Sequence, residues 1–145
     1  MERYSPTRIL LVEDSPEDIE IVRRALKEAG MQHELFVARD GFEALEFLFY
    51  KGQFERANHP RPDIILLDLN LPRVSGFDVL KVVRRSDDTA MIPVIILSSS
   101  ITKEDVEEGY RLGANTYIQK EANLVRAISV LGEYWGIFAR LPAVA

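Results

Sequence analysis

The sequence predicts an α/β fold in three layers, an open parallel sheet of five strands with helices packed on both faces. Short runs of branched apolar residues alternate with segments whose apolar residues recur at helical spacing. The apolar runs are unbroken, as is typical of parallel strands buried on both faces. Five such units are too few for a closed barrel, which takes about eight, and right-handed crossovers then favour an open sheet.

The first two helices carry clear start and stop signals. The apolar run 8–12 precedes residues 15–18, where a serine cap, a proline and two acids are typical of a helix start. Gly30 is placed to end that helix. Residues 40–43 have the spacing of a capping box for the second helix. We interpret Asp18 and Asp40 as helix-start residues with no further role.

The later elements follow from the same patterns. Residues 51–62 are polar and end in two prolines, so we interpret them as an exposed connection. Arg84 and Arg85, near the end of the third helix, are interpreted as solvated charges that complement the helix dipole. Gly113 is placed to end the fourth helix. The predicted strands are residues 8–12, 33–38, 63–67, 93–97 and 116–118, and the later helices are residues 75–85, 102–112 and 124 to about 138.

Composition excludes several classes of function. The 145 residues include no cysteine, which excludes a disulfide scaffold, a thiol nucleophile and a cysteine-ligated metal centre. Two histidines, His33 and His59, are too few for most imidazole zinc sites. A net charge of −5 argues against nucleic-acid binding. No apolar run suits a membrane helix or a signal peptide, so we expect a cytoplasmic protein whose chemistry uses carboxylates, hydroxyls and lysine.

Polar residues follow four of the predicted strands at their carboxyl ends. Glu13 and Asp14 follow the first, Asp68 the third, Ser98 the fourth and Lys120 the fifth. Ligands of open α/β sheets bind at this edge, so we expect the five side chains to converge there. Oxygen ligands without imidazole or thiolate favour Mg²⁺. A carboxylate beside Mg²⁺ can attack an activated phosphoryl group, with lysine and serine holding its oxygens.

In this order and at these separations, the residues resemble those of a bacterial response-regulator receiver domain. That family has an acidic pair after the first strand, an aspartate after the third, serine or threonine after the fourth and lysine after the fifth. The matching positions here are residues 9–14, residues 64–72 with Gly76 behind them, Ser98, and Tyr117 three residues before Lys120. The resemblance covers roughly residues 7–131 and implies the flavodoxin-like strand order 2-1-3-4-5.

The resemblance also implies a two-component phosphorelay. Asp68 would accept a phosphoryl group from a phosphohistidine on a sensor histidine kinase. Mg²⁺ would be bound by Asp14, Asp68 and the backbone carbonyl of Asn70, with Glu13 acting either directly or through a water molecule. The domain would then be a signalling phosphoacceptor and not an enzyme, apart from slow autodephosphorylation.

The same resemblance implies a conformational switch. Lys120 and Ser98 would hold the phosphoryl oxygens, and Tyr117 would rotate inward as Ser98 moves toward the phosphate. The added charge would bias an element that has two states. We expect the surface made by the fourth and fifth strands and their helices to change.

Two segments resemble the small stand-alone regulators that partner phytochrome-type kinases. They are the long connection 52–62 and the aromatic tail 134–142. We therefore expect one receiver domain over residues 1–145, with a core of about 7–131, a C-terminal helix and tail at 132–145, and no output domain. Glu121 stands where many family members have a proline, often in a cis peptide. A non-proline cis bond costs roughly 3 kcal/mol, so we expect a trans bond and an altered loop.

The last helix carries two apolar rows, although a surface helix needs only one. The first row is Leu124, Ile128, Leu131, Trp135 and Phe138, and the second is Ala127, Val130, Tyr134 and Ile137. A wide core face with a docked tail would explain both rows. We favour a homodimer through the last helix and the tail, because exposed aromatic surface is otherwise a liability.

Two other functions remain as alternatives. One is a small Mg²⁺-dependent phosphohydrolase that forms an aspartyl phosphate. Haloacid-dehalogenase-like enzymes have a second acid two residues after the nucleophile, where this chain has Asn70. The other is a receiver-like scaffold that is not phosphorylated, and the full set of acids, hydroxyl and lysine argues against it.

Overall fold

The computed structural model describes residues 6–56 and 58–142, which form one parallel sheet flanked by helices. The strand order is β2-β1-β3-β4-β5, so the predicted fold class and strand order are confirmed. The strands are β1 (Thr7–Val12), β2 (His33–Ala38), β3 (Ile64–Asp68), β4 (Val94–Ser98) and β5 (Thr116–Gln119). The helices are α1 (Pro16–Glu28), α2 (Gly41–Phe49), α3 (Gly76–Arg85), α4 (Lys103–Arg111) and α5 (Lys120–Glu133). A 3-10 turn covers Gly52–Phe54, and a π-helical turn at Tyr134–Phe138 follows α5.

Two apolar cores cover the two faces of the sheet, because successive side chains of a strand point to opposite faces. Leu10, Ile65 and Leu67 face one core, which α2 and α3 complete. Leu11 and Leu66 face the other core, which α1 and α5 complete. Every residue of β3 and β4 is buried. The buried strands β3 and β4 therefore hold their carboxyl ends, Asp68 and Ser98, in place at one edge of the sheet.

Side-chain caps start the helices where the sequence predicts. The Ser15 hydroxyl accepts the N–H of Asp18 at 3.3 Å, and the Asp40 carboxylate accepts the N–H of Glu43 at 2.7 Å. Both bonds satisfy donors that a helix N-terminus otherwise leaves unpaired. The cap on α1 also fixes the first turn of that helix beside the end of β1.

The interpretation of Arg84 as a solvated charge is wrong. Its guanidinium donates to the carbonyl oxygens of Ala90, Ile92 and Gly113 and to the side-chain oxygen of Asn115, at 2.8 to 3.1 Å. Burial lowers the pKa of Arg84 from its ordinary value. Arg84 therefore ties α3 to the segments that precede β4 and β5, whereas Arg85 is exposed as predicted.

The connection before β3 is largely exposed, as predicted, but two of its aromatic residues pack onto α2. The ring of His59 stacks on Phe47 with centroids 3.9 Å apart, and its Nε2 lies 3.0 Å from the Phe47 carbonyl oxygen. Phe54 meets the same Phe47 ring edge-on at 5.3 Å. Aromatic contacts of this kind stabilise beyond simple burial, so these two residues hold the connection against α2.

Helix α5 begins at Lys120, four residues before the predicted start, and Asn123 interrupts it with a ψ of 82°. As expected, the Lys120–Glu121 bond is trans, and the described residues contain no cis peptide. Trp135 is buried in the second core, and the tail residues Ala139 and Leu141 pack against the same core. The side chains of Ile137 and Phe138 lie outside the described part of the chain. None of the described helices is both long and apolar enough to cross a bilayer.

Candidate functional site

Strand register brings the predicted site residues to one edge of the sheet. Asp68, the last residue of β3, pairs with Leu97, so Ser98 at the end of β4 lies one position further along. Ser98 pairs in turn with Gln119, the residue before Lys120. Parallel strands end at the same edge, and this register places all three residues at that edge of the sheet.

Three carboxylates form a cluster at this edge. One oxygen from each of Glu13, Asp14 and Asp68 lies within 4.8 Å of the other two. Glu13 and Asp68 are buried, whereas Asp14 is exposed and leaves the cluster open to solvent. Oxygen ligands at this spacing fit a hard divalent cation, which is commonly held by one or two carboxylates with additional oxygens. In the part of the chain that the structure describes, no other group of three acids or histidines has this arrangement.

Lys120 reaches the same cluster from the end of β5. Its Nζ lies 2.6 Å from Glu13 Oε2, 2.9 Å from Asp18 Oδ2 and 3.5 Å from Asp68 Oδ2. The lysine side chain is only 11% exposed, so these contacts are shielded from bulk water. The ammonium therefore donates hydrogen bonds to Glu13 and Asp18 and forms a longer ion pair with Asp68.

Burial controls the protonation of this cluster. Loss of hydration raises the pKa of both Glu13 and Asp68, although Lys120 opposes the shift at each carboxyl. For Lys120, burial lowers the pKa, but the hydrogen bonds to Glu13 and Asp18 outweigh it and the pKa is raised. Several acids thus share one ammonium, an arrangement that favours a second cation.

Hydroxyl groups occupy the other side of the site. The buried Ser98 hydroxyl accepts the N–H of Ser100 at 3.1 Å. The Tyr117 hydroxyl donates to the carbonyl oxygen of Ser100 at 2.7 Å. The ring of Tyr117 lies beside Gly109 of α4, where an added Cβ would come within 3.2 Å of it. Ser100 therefore links Ser98 to Tyr117, a connection that sequence reasoning did not identify.

Gly76 lets α3 start close to the end of β3. A Cβ at this position would lie 2.2 Å from the carbonyl oxygen of Asp68, so no other residue fits without a backbone shift. The N–H of Gly76 donates to the Leu69 carbonyl oxygen at 3.0 Å, and the N–H of Asn70 lies 3.4 Å from Asp68 Oδ1. These contacts hold the segment that follows Asp68.

The structure brings the predicted acids and the lysine together and adds Asp18 to the site. Glu13, Asp14, Asp68 and Lys120 meet directly, and their individual roles stay predictions. The interpretation of Asp18 as a helix-start residue with no further role is wrong, because its carboxylate binds Lys120. The predicted division of the chain into core and tail also stays a prediction.

Comparisons with known proteins identify relatives of this arrangement. The family model described as "Response regulator receiver domain" matches residues 9–131. The response regulator Rcp1 of Synechocystis sp. is 40% identical over 145 residues, which cover 98% of this chain and 97% of that protein.

Two solved structures have closely similar folds. A crystal structure of Rcp1 in its Mn²⁺-bound form has a TM-score of 0.88 at 39% identity and covers 95% of this chain and 100% of its own. A crystal structure of the phosphorylated cyanobacterial phytochrome response regulator RcpA has a TM-score of 0.88 at 39% identity. The match covers 96% of this chain and 100% of the RcpA chain. One relative therefore binds a divalent metal and another is phosphorylated.

Proposed function

This chain belongs to the response regulator receiver domain family and is a response regulator of two-component signalling, and we propose that Asp68 is its phosphoacceptor. In the proposed reaction, an oxygen of Asp68 attacks the phosphorus of a phosphohistidine. The new O–P bond forms as the N–P bond breaks, and the imidazole leaves. The observation that carries the proposal is the position of Asp68, buried at the end of β3 with Lys120 at 3.5 Å and two further acids beside it.

We propose Mg²⁺ as the cation of this site. Its ligands would be Glu13, Asp14 and Asp68, with the backbone carbonyl of Asn70. The all-oxygen cluster supports this choice, and the relative Rcp1 has been crystallised with Mn²⁺. A bound cation supplies positive charge that offsets the repulsion between the attacking carboxylate and the phosphoryl group.

The remaining residues would bind the phosphoryl group and couple its presence to a conformational change. Lys120 would bind one phosphoryl oxygen as a point charge, and Ser98 would donate a hydrogen bond to another. The Ser98 hydroxyl accepts from the Ser100 N–H, and the Ser100 carbonyl accepts from the Tyr117 hydroxyl, so a shift of Ser98 toward the phosphoryl group would reach Tyr117 through Ser100. We propose no turnover of an external substrate, only phosphotransfer and slow hydrolysis of the acyl phosphate.

The proposed partner is a phytochrome-type sensor histidine kinase. The support is similarity, because the relative RcpA is a phytochrome response regulator and shares 39% of its residues with this chain. We also propose a cytoplasmic location, because a kinase partner that draws its phosphoryl group from ATP would meet this chain there.

Phosphodonor labelling tests the phosphoacceptor directly. With Mg²⁺ and acetyl phosphate, we expect the intact mass to increase by one phosphoryl group, and Asp68→Asn to remain unmodified. Asp87→Asn removes an exposed acid outside the cluster and should be labelled like wild type. Equal labelling of wild type and Asp68→Asn, or none of either, would contradict the proposal. Sustained hydrolysis of phosphate esters would favour the phosphohydrolase instead.

We further propose that the second apolar row of α5 forms a homodimer. Val130 and Tyr134 are 50% and 53% exposed, and Val130 borders an open apolar groove of about 440 Å³. The docked-tail alternative explains other residues, since Trp135 is buried in the second core and Ala139 and Leu141 pack against that core. It leaves Val130 and Tyr134 uncovered, and large exposed apolar side chains are typical of an interface.

Sedimentation velocity tests the dimer. Val130→Glu should shift the protein toward monomer at micromolar concentration. Val125→Glu is the matched control, because Val125 is also exposed and lies about 140° around the same helix. A wild-type protein that stays monomeric with and without beryllofluoride would contradict the dimer.

A further inference from the structure

Lys120 has a carboxylate partner that is not part of the metal cluster. Asp18 Oδ2 lies 2.9 Å from the lysine Nζ, closer than Asp68 Oδ2 at 3.5 Å. Glu13, the third partner, belongs to the group of oxygens placed to bind a cation, and so does Asp68. Asp18 is therefore the lysine partner outside that group.

The position of Asp18 is fixed by the start of α1. Its backbone N–H is capped by the Ser15 hydroxyl at 3.3 Å, which sets the first helical turn. Its side chain is 28% exposed and points to Lys120, which is itself 11% exposed. An acid in the first turn already suits the helix dipole, but that preference does not require contact with a lysine 102 residues away.

A divalent cation changes the balance of charge around Lys120. Glu13 and Asp68 would then share their charge with the cation, and the cation would repel the ammonium beside it. Asp18 keeps its full charge for the lysine, because it is outside the ligand group. It can therefore offset the repulsion at the step when Lys120 is needed near the phosphoryl group.

We propose that Asp18 is a positioning residue that holds Lys120 beside Asp68 when a divalent cation occupies the cluster. The inference rests on the proposed function, because Lys120 must meet the phosphoryl group there. It also predicts the direction in which anion affinity changes when the charge of Asp18 is removed. If the charge of Asp18 acted only through space, its loss would favour an incoming anion, whereas a positioning role predicts weaker anion binding.

Binding of beryllofluoride, a phosphoryl mimic, distinguishes a through-space effect of the Asp18 charge from a positioning role. At saturating Mg²⁺, Asp18→Asn should bind it about tenfold more weakly than wild type. Glu17→Gln removes the same charge from the same helical turn without contacting Lys120, and should change the affinity less than twofold. Asp18→Glu should recover at least part of the loss. Equal or tighter binding by Asp18→Asn, or no recovery by Asp18→Glu, would overturn the proposal.

The side-chain nitrogen signal of Lys120 gives a second readout. The chain has five lysines, and Lys120→Gln identifies this signal by its loss. In wild type the buried ammonium should stay observable by ¹⁵N NMR with and without Mg²⁺. In Asp18→Asn it should be lost only when Mg²⁺ is added, a dependence that a purely structural defect would not produce. A signal that persists in Mg²⁺-saturated Asp18→Asn would also overturn the proposal.

The experiment separates failure of this inference from failure of the proposed function. A wild-type protein that binds neither Mg²⁺ nor beryllofluoride contradicts the proposed function, and the inference falls with it. A wild type that binds both, with Asp18→Asn unchanged, contradicts only the role of Asp18.

Discussion

The site has two halves that are held together by different forces. The acid half consists of Glu13, Asp14, Asp18, Asp68 and Lys120. Charge holds it together, because the Lys120 ammonium lies 2.6 to 3.5 Å from carboxylate oxygens of Glu13, Asp18 and Asp68. The hydroxyl half consists of Ser98, Ser100 and Tyr117, and neutral hydrogen bonds of 2.7 and 3.1 Å join these three residues. The Ser100 hydroxyl also donates outward, to the Asp105 carboxylate of α4.

The difference between charged and neutral contacts indicates which half of the site can move. Buried charges are expensive to separate, because each one left unpaired keeps its full desolvation cost. A neutral hydrogen bond contributes only about 1 kcal/mol net, and another partner can replace it. We infer that the acid half is the fixed frame that receives the phosphoryl group, and that the hydroxyl half rearranges in response.

The largest expected effect comes from removing the one cation of the acid half. Without metal, Lys120→Gln should lower the free energy of unfolding by about 3 kcal/mol at neutral pH, because three carboxylates lose their shared partner. Saturating Mg²⁺ should recover much of the loss. Urea unfolding with EDTA and with Mg²⁺ measures both values.

The control for that variant is Lys103→Gln, which changes a lysine whose side chain is 82% exposed. Surface ion pairs contribute little, so its effect should be under about 1 kcal/mol. If Lys120→Gln were equally mild without metal, charge would not be what holds the acid half.

A second prediction concerns the pH dependence of the acid half. Burial raises the pKa of folded Asp68 above its ordinary value of 3.8, so the folded protein binds more protons than the unfolded chain across that interval. Stability contributed by this group therefore falls as pH rises from below 3.8 through the raised pKa. Without metal, Asp68→Asn should be more stable than wild type at neutral pH, and this advantage should shrink on acidification toward 3.8.

Unfolding free energies of both proteins across this pH range, in EDTA, measure the difference. With Mg²⁺ the order should reverse, because the variant lacks a ligand. An advantage that grows on acidification would mean that the folded pKa of Asp68 is depressed, and the acid half would then be stable without a metal.

The frame of the site follows from local signals in the sequence. The site residues stand at or just beyond the carboxyl ends of the strands, and parallel strands end at one edge. The fold class follows from the same alternation of apolar runs and helical segments. These features need no knowledge of which distant residues touch.

The missed features all depend on distant contacts. Asp18 has a complete local explanation as a helix-start acid, so nothing in the sequence marks its bond to a lysine 102 positions away. Arg84 likewise suits a helix end, although its partners include residues 29 and 31 positions away. His59 lies in a polar segment, and its stacking on Phe47 becomes apparent only in the folded structure, where that segment packs against α2.

The smallest expected effect comes from the hydroxyl half. Tyr117→Phe removes the bond to the Ser100 carbonyl, and should lower the free energy of unfolding by about 1 kcal/mol without changing Mg²⁺ affinity. Tyr50→Phe is the matched control, because its hydroxyl donates to the His59 carbonyl at 2.8 Å, outside the site. Both variants should lose similar stability, but only Tyr117→Phe should alter the chemical shifts of β4 and β5 that respond to beryllofluoride. A change in Mg²⁺ affinity with Tyr117→Phe would show that the two halves are one coupled unit.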